Sequence, residues 1–169
     1  MITIIVEDGS IVANANSYIS LADARDRAEF LGVTLSSDDD TASAQLVQAA
    51  YYNDSMYSDC FQGSIVDSSQ KMQWPRNGVY IYDNPFPNDS IPQQVIDAQI
   101  FTAGAIEGGT PLYPNDNGRS VASETVGSIS RSYFNNGKTG TDVTITSTEN
   151  ALKPVLDNCS GKYSYSVYS

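Results

Sequence analysis

The length, composition and charge of the chain narrow its class. Its 169 residues, 40% of them hydrophobic, are enough for one ordinary domain with its own core. Nine Lys and Arg residues against twenty Asp and Glu residues give a formal net charge of −11. Because nucleic-acid binding draws much of its affinity from Lys and Arg side chains on phosphates, this balance disfavours a protein that grips a phosphate backbone.

The residues that most enzymes and metal sites depend on are scarce. There is no His, which removes the commonest general base and the commonest zinc ligand, and Cys60 and Cys159 form no paired metal-ligand spacing. We expect no catalytic residue, no cofactor and no metal, and hence no enzyme. The alternative is glycoside cleavage by two of the carboxylic acids, although the sequence does not show which of them share a cleft.

The N-terminal segment carries no sign of membrane insertion or processing. No apolar run reaches the roughly 18 residues that a membrane span needs, and the first residues lack the pattern of a signal peptide. We expect a soluble, unprocessed protein. The β-branched stretch from Ile2 to Val6 predicts a short strand, which ends at the turn residue Gly9.

Two helices are predicted before residue 60. Ser20 and Asp23 form a capping box at the start of the first helix, and Gly32 marks its end. The acidic run at residues 36–41 lacks the alternating ligands of a calcium loop, so we interpret it as the cap of a helix from about Thr41 to Met56.

A loop with the single Trp of the chain follows the second helix. Pro75 fixes its own backbone and keeps Trp74 out of the helical region, and Asn77 with Gly78 supplies a turn. Local physics favours an aromatic plug over a small core. Two alternatives remain for Arg76. It acts inside the subunit, in a salt bridge or stacked on an aromatic face, or it pairs with an acid of a neighbouring subunit.

A long loop and a third helix come next. Pro85 and Pro87 forbid regular helix between Val79 and Ser90, so we predict an ordered loop there. A helix is predicted from about Pro92 to Glu107, with Pro at its first turn. Its apolar residues point all round the helix, which is typical of a position at the centre of a core or in a subunit interface.

The last third of the chain mixes strand and helix patterns. Residues 115–118 are interpreted as a turn, and the alternation from Glu124 to Tyr133 predicts a strand. Thr146 and Glu149 suggest a second capping box at the start of another helix. Pro154 must kink or shorten that helix. Residues 163–168 alternate large apolar residues with Ser, as a strand that pairs with a sheet edge would.

Five blocks of sequence, in order, carry a family resemblance. They are Val-Glu-Asp-Gly-x-x-Val-x-x-Ala-Asn-Ser-Tyr-x-Ser-Leu-x-x-Ala (Val6 to Ala24), Gln73-Trp74-Pro75-Arg76-x-Gly78, Ile91-Pro92-x-x-Val95-x-x-Ala98, Glu124-x-Val126-Gly127-Ser128-Ile129-x-x-x-Tyr133 and Leu152-Lys153-Pro154-Val155-Leu156. The chain resembles the head-to-tail adaptor (connector, head-completion) proteins of tailed bacteriophages, a family often labelled DnaT-like single-stranded-DNA-binding protein. It departs from the pattern at Gln73, where Ala or Leu is frequent, and in its Tyr and Ser tail.

The resemblance implies a structural virion protein that assembles as a homo-oligomeric ring, commonly a dodecamer. Such a ring lies at the head-to-tail junction between the portal protein and the tail or nozzle component, and double-stranded DNA passes through its lumen without specific binding. It also implies a C-terminal arm that reaches the portal, and assembly in the host cytoplasm without a membrane. We expect the portal-docking residues to be Tyr163, Tyr165, Val167 and Tyr168, and we assign Trp74, Pro75 and Arg76 to a structural or inter-subunit motif.

The family label suggests single-stranded-DNA binding as the alternative function. Bases would then stack on exposed tyrosines, and stacking contributes about 1–3 kcal/mol per base. The candidates are Tyr51, Tyr52, Tyr57, Tyr80 and Tyr82, with Lys71 and Arg76 as the cations close to them in the sequence.

Together these patterns predict a mainly α fold: a small helical bundle with short β segments or a hairpin and an extended C-terminal arm. We divide the chain into a helical adaptor domain at residues 1–134 and a C-terminal helix with its arm at residues 135–169.

Overall fold

A computed structural model describes residues 2–113, 123–126, 129–132 and 145–157, the two short ranges by their backbone. Contacts divide the chain into two compact units, Met1–Thr110 with Ile145–Ser169 and Pro111–Thr144. The predicted domain boundary at residue 134 and the portal-docking arm, with Tyr163, Tyr165, Val167 and Tyr168, lie outside the described residues and stay predictions.

The described part of the chain is mainly α, as predicted, with short antiparallel hairpins. Its helices are α1 (Leu21–Leu31), α2 (Asp39–Tyr57), α3 (Gln93–Glu107) and α4 (Thr146–Leu152), the last followed by a 3-10 turn at Lys153–Val155. Its strands pair as β1 (Ser64–Ile65) with β2 (Arg76–Asn77), β3 (Tyr80–Ile81) with β4 (Asn84–Pro85), and β5 (Ser123–Val126) with β6 (Ile129–Ser132).

Helix α3 is the centre of the first unit, because α1, α2 and α4 all pack against it. It divides the apolar core into two clusters. One surrounds Trp74 and includes Ala50, Tyr57, Phe61, Val95, Ala98 and Leu152. The other lies between the first three helices and includes Ala24, Ala28, Leu46, Ala49, Ile100 and Ala103. The prediction that an all-round apolar helix lies at the centre of a core is confirmed.

The predicted ends of the first two helices are confirmed. Ser20 Oγ accepts the Asp23 N–H at 3.1 Å, and Gly32 ends α1 with a φ of 68°. At α2, Asp38 Oδ1 accepts the backbone N–H of Thr41 at 2.8 Å and its hydroxyl at 2.6 Å. The acidic run therefore caps a helix, and α2 begins at Asp39, slightly earlier than predicted.

Two predictions on the strands are corrected. The stretch from Ile2 to Val6 forms no strand; Val6 makes one isolated parallel bridge to Ser17 and no longer ladder. Within the stretch from Glu124 to Tyr133, predicted as one strand, the described residues belong to two strands, β5 and β6, which pair at Val126 and Ile129.

Two further corrections concern a loop and a cap. The segment from Val79 to Ser90, predicted as a loop, contains the β3–β4 hairpin, which tolerates Pro85 in its short second strand. Thr146 is not the cap of α4: the Glu149 N–H donates to the Ile145 carbonyl, so the helical turn already includes Thr146. Pro154 shortens the helix as expected, since α4 ends at Leu152 and continues as a 3-10 turn.

Candidate functional site

Trp74, the most informative residue of the sequence, lies at the bottom of its loop in the first core cluster. Its side chain is 0% exposed, and Phe61 packs against it edge to face, with ring centroids 5.5 Å apart. The Trp74–Pro75 peptide bond is cis. The indole Nε1 has no hydrogen-bond partner within the described residues. The predicted aromatic plug is therefore confirmed.

A buried polar group anchors the backbone of the same loop. Asp54, on α2, accepts the Gln73 N–H at 2.9 Å, and its two oxygens lie 2.7 Å and 2.8 Å from the Tyr18 hydroxyl. Tyr18 Oη in turn accepts the Trp74 N–H at 3.3 Å. We call Tyr18, Asp54, Gln73 and Trp74 the Asp54 cluster. It ties the N-terminal segment, α2 and the Trp74 loop together.

Burial controls the protonation of this cluster. It raises the pKa of Asp54 to about 6, although the Gln73 N–H, the Tyr18 hydroxyl and the nearby Arg76 charge oppose the shift. Burial and the Asp54 carboxylate together raise the pKa of Tyr18 well above its ordinary value. Asp54 does not line two open grooves of the described surface, of about 570 and 590 Å³.

Arg76 directs its guanidinium into the same loop rather than to solvent. It is 6% exposed, and its Nε and Nη2 donate to the carbonyls of Gln62 and Gly63 at 2.8 Å and 3.0 Å. Its Nη1 donates to the carbonyl and the side-chain oxygen of Gln73 at 3.2 Å and 3.0 Å. The guanidinium carbon lies 5.8 Å from the centre of the Phe61 ring. The geometry favours the cation stacked on an aromatic face; an inter-subunit role stays a prediction.

The opening sequence block folds around a buried carboxylate. Glu7 is 1% exposed and accepts the backbone N–H groups of Gly9, Ile11 and Val12 at 2.9–3.0 Å. Gly9 has a φ of 103°, and a Cβ there would lie 2.1 Å from the Asp89 carbonyl oxygen. Only glycine fits this position, so Glu7 and Gly9 together stabilise the turn at the start of the block.

Gln99 joins that opening segment to the centre of the core. It is fully buried on α3, its Oε1 accepts the Tyr18 N–H at 3.0 Å, and its Nε2 donates to Ser17 Oγ and the Leu46 carbonyl at 2.7 Å and 2.9 Å. Sequence reasoning missed Glu7, Asp54 and Gln99. For Gln99 the only signal was a polar residue amid the apolar helix α3, which by itself does not name a partner.

The tyrosines proposed as a base-stacking platform divide into two groups. Tyr52 and Tyr57 are 2% and 4% exposed and have no face for a base. Tyr51, Tyr80 and Tyr82 are 69%, 56% and 74% exposed. The exposed set is therefore smaller than predicted.

Most of the described cations are already engaged with the protein. Arg25 pairs with Asp39 and Arg27 with Asp97, at 2.7 Å and 2.8 Å. Arg76 is buried, so the exposed cations among the described side chains are Lys71 and Lys153. This surface lacks the positively charged groove that normally accompanies base stacking.

Comparison with known proteins assigns the chain to a family. It belongs to the family described as "Putative DnaT-like ssDNA binding protein", whose model matches residues 2–168. No curated protein and no solved structure matches the chain. This result confirms the DnaT-like part of the resemblance and says nothing of a head-to-tail adaptor.

The described residues contain neither a cluster of metal ligands nor a membrane-spanning helix. No group of three or more His, Cys, Asp or Glu side chains in that part of the chain could hold a metal ion. None of its helices is long and apolar enough to cross a bilayer.

Proposed function

We propose that the chain is a structural protein of a tailed bacteriophage, a head-to-tail adaptor that forms a ring between portal and tail around the DNA channel. The observation that carries the proposal is that three of the described cations are not free to bind phosphate. Arg25 and Arg27 pair with carboxylates, and Arg76 is buried. An acidic surface repels phosphate, which suits a conduit that DNA must pass without sticking. The five ordered sequence blocks give further support.

The contacts of those blocks support a structural role within the proposal. Trp74 and Arg76 make their contacts inside the subunit, and Glu7 and Gly9 shape the opening turn. Such residues preserve a rigid building block. In a ring of such blocks, modest contacts to the portal and to the tail or nozzle component are repeated around the assembly and add by avidity. The protein would act in the virion after assembly in the host cytoplasm.

The C-terminal arm is the part that we propose docks on the portal. Tyr163, Tyr165, Val167 and Tyr168 alternate with Ser, so they suit strand addition to a sheet edge or aromatic anchors in pockets. A chain truncated after Gly161 should remain folded and lose portal binding in biolayer interferometry. The full chain with Tyr51→Ser, an exposed tyrosine on α2, is the matched control and should bind normally. Unchanged binding by the truncated chain would refute the arm.

Single-stranded-DNA binding is the second candidate, and the family description supports it more directly than it supports the adaptor. Three exposed tyrosines, Tyr51, Tyr80 and Tyr82, are available for stacking. The charge opposes it, because single-strand affinity depends on cations that neutralise phosphates.

A salt titration separates the two candidates. Fluorescence anisotropy with a labelled thirty-nucleotide oligo-dT should show no binding by the full chain, even at about 20 mM salt, if the adaptor proposal is right. Binding that weakens with salt and is lost in Tyr80→Ser would establish the single-strand function instead. The Tyr52→Phe variant controls for general damage, since Tyr52 is buried.

A further inference from the structure

The turn of the β3–β4 hairpin has an unusual backbone. Tyr82 and Asp83 both have positive φ, 52° and 63°, between the paired residues Ile81 and Asn84. Two consecutive positive values characterise the type I′ turn, which strongly prefers Asn-Gly or Asp-Gly. A Tyr in the first position is unfavourable because its Cβ crowds the backbone. A residue that costs stability where glycine or asparagine would fit points to a role for its side chain.

The hairpin holds two tyrosine side chains out to solvent on a fixed support. Tyr80 and Tyr82 are 56% and 74% exposed, whereas Ile81 between them packs against the first core cluster, around Trp74. The Tyr80 N–H donates to Gln62 Oε1 at 2.9 Å, and Asn84 Nδ2 donates to the Tyr82 carbonyl at 2.9 Å. The side chains are therefore presented without the entropy cost of ordering a loose loop.

The charges around the hairpin are negative. Residues 77–92 contain Asp83 and Asp89 and no Lys or Arg, and the next cation along the chain after the buried Arg76 is Arg119. The 3-10 turn that packs on β3 begins with Lys153 and is followed by Asp157, whose charges offset each other.

We propose that this hairpin tip, Tyr80 with Tyr82 and Asp83, is a docking site for an arginine-bearing segment of a protein partner. A guanidinium stacks on a tyrosine face and hydrogen-bonds a carboxylate, and the tip offers both groups. Nucleic acid is a poorer occupant because its phosphates would meet the carboxylate of Asp83, which lies in the turn itself. The proposal uses none of the arm residues and does not depend on the adaptor function.

Peptide binding to the full-length chain tests the proposal. Hexa-arginine and hexa-lysine carry the same charge, so a general attraction to an acidic protein affects both equally. We expect hexa-arginine to bind about 5-fold to 10-fold more tightly, because a guanidinium stacks better on an exposed aromatic ring than an ammonium does. The double variant Tyr80→Ser, Tyr82→Gly should lose this preference, whereas Tyr51→Ser should retain it.

A second measurement separates a binding role from a structural one. Tyr82→Gly relieves the positive φ, so it should raise the melting temperature by about 2 °C while it weakens the arginine preference. A residue retained for folding alone would lower the melting temperature.

Three results would overturn the proposal. They are equal affinity for the two peptides, a preference that survives in the double variant, and a twenty-nucleotide oligo-dT that binds through Tyr80 and Tyr82. The last would assign the tip to nucleic acid.

Discussion

The Trp74 loop and the β3–β4 hairpin follow each other in the chain and treat their aromatic residues in opposite ways. Trp74 is 0% exposed, and both its ring and its backbone N–H make contacts inside the subunit. Tyr82 is 74% exposed and lies in a turn whose backbone conformation is unfavourable for tyrosine. The conspicuous Trp74 motif therefore stabilises the subunit, and a recognition role is better sought on the less conspicuous surface beside it.

Replacing the buried indole should have the largest effect on this comparison. Trp74→Ala removes the centre of the first core cluster, and we expect the free energy of unfolding to fall by about 3–5 kcal/mol. Urea unfolding followed by circular dichroism measures the loss. Trp74→Phe keeps an aromatic ring and should lose clearly less. A Trp74→Ala loss below about 1 kcal/mol would contradict the buried-plug interpretation.

The buried carboxylate predicts a pH dependence of known sign. Burial raises the pKa of Asp54 from 3.8 to about 6, so the folded state holds a proton that the unfolded state has released between these values. Asp54 therefore contributes stability that is fully present below about pH 4 and is lost as the pH rises through about 6. A shift of about two pH units corresponds to about 3 kcal/mol.

Asp54→Asn provides the measurement of that effect. From pH 4 to pH 7 the stability of the unmodified chain should fall by up to about 3 kcal/mol relative to the variant. Asp8, Asp38 and Asp67, whose pKa values hydrogen bonds hold low, are common to both proteins and cancel in the difference. Parallel stability profiles of the two proteins would refute a buried, titrating Asp54.

Arg76 tests whether the motif requires a guanidinium or only a positive charge. Arg76→Lys keeps the charge but cannot reach Gln62, Gly63 and Gln73 in the same geometry, and it leaves part-buried carbonyls without their guanidinium donors. We expect a loss of about 2–3 kcal/mol in chemical unfolding. Lys71→Ala, at an exposed position, should be nearly neutral. If Arg76→Lys unfolds like the unmodified chain, the internal hydrogen bonds are unimportant.

Replacing an exposed tyrosine of the hairpin should have the smallest effect on stability. Tyr80→Ser removes a side chain that is 56% exposed, so its free energy of unfolding should stay within about 0.5 kcal/mol of the unmodified chain. The same chemical unfolding experiment checks this value. A loss as large as that of Trp74→Ala would mean that the hairpin is part of the core and not a recognition surface.

The sequence predicted what local interactions determine. Ser20 and Asp23 lie within one helical turn, and Gly32 acts on the residues just before it, so both ends of α1 were predictable. The prediction that Thr146 caps α4 was wrong because its neighbour Ile145 already supplies the first helical carbonyl. The side-chain type alone does not distinguish the two registers.

The buried polar contacts were beyond prediction for a physical reason. Gln99 and Tyr18 lie 81 positions apart in the sequence, and Asp54 lies 19 positions from Gln73 of the Trp74 loop. No local pattern encodes such partners. The alternatives for Arg76 stayed open in the sequence because three of its four acceptors are backbone carbonyls, which every residue carries.

Mass photometry of the full chain, alone and mixed with the portal protein, tests the proposed adaptor most directly. The adaptor proposal predicts that the portal peak gains the mass of a ring of copies of this chain, and that oligo-dT neither replaces nor is needed for this gain. A chain that leaves the portal mass unchanged and instead binds oligo-dT would contradict the adaptor and establish single-stranded-DNA binding.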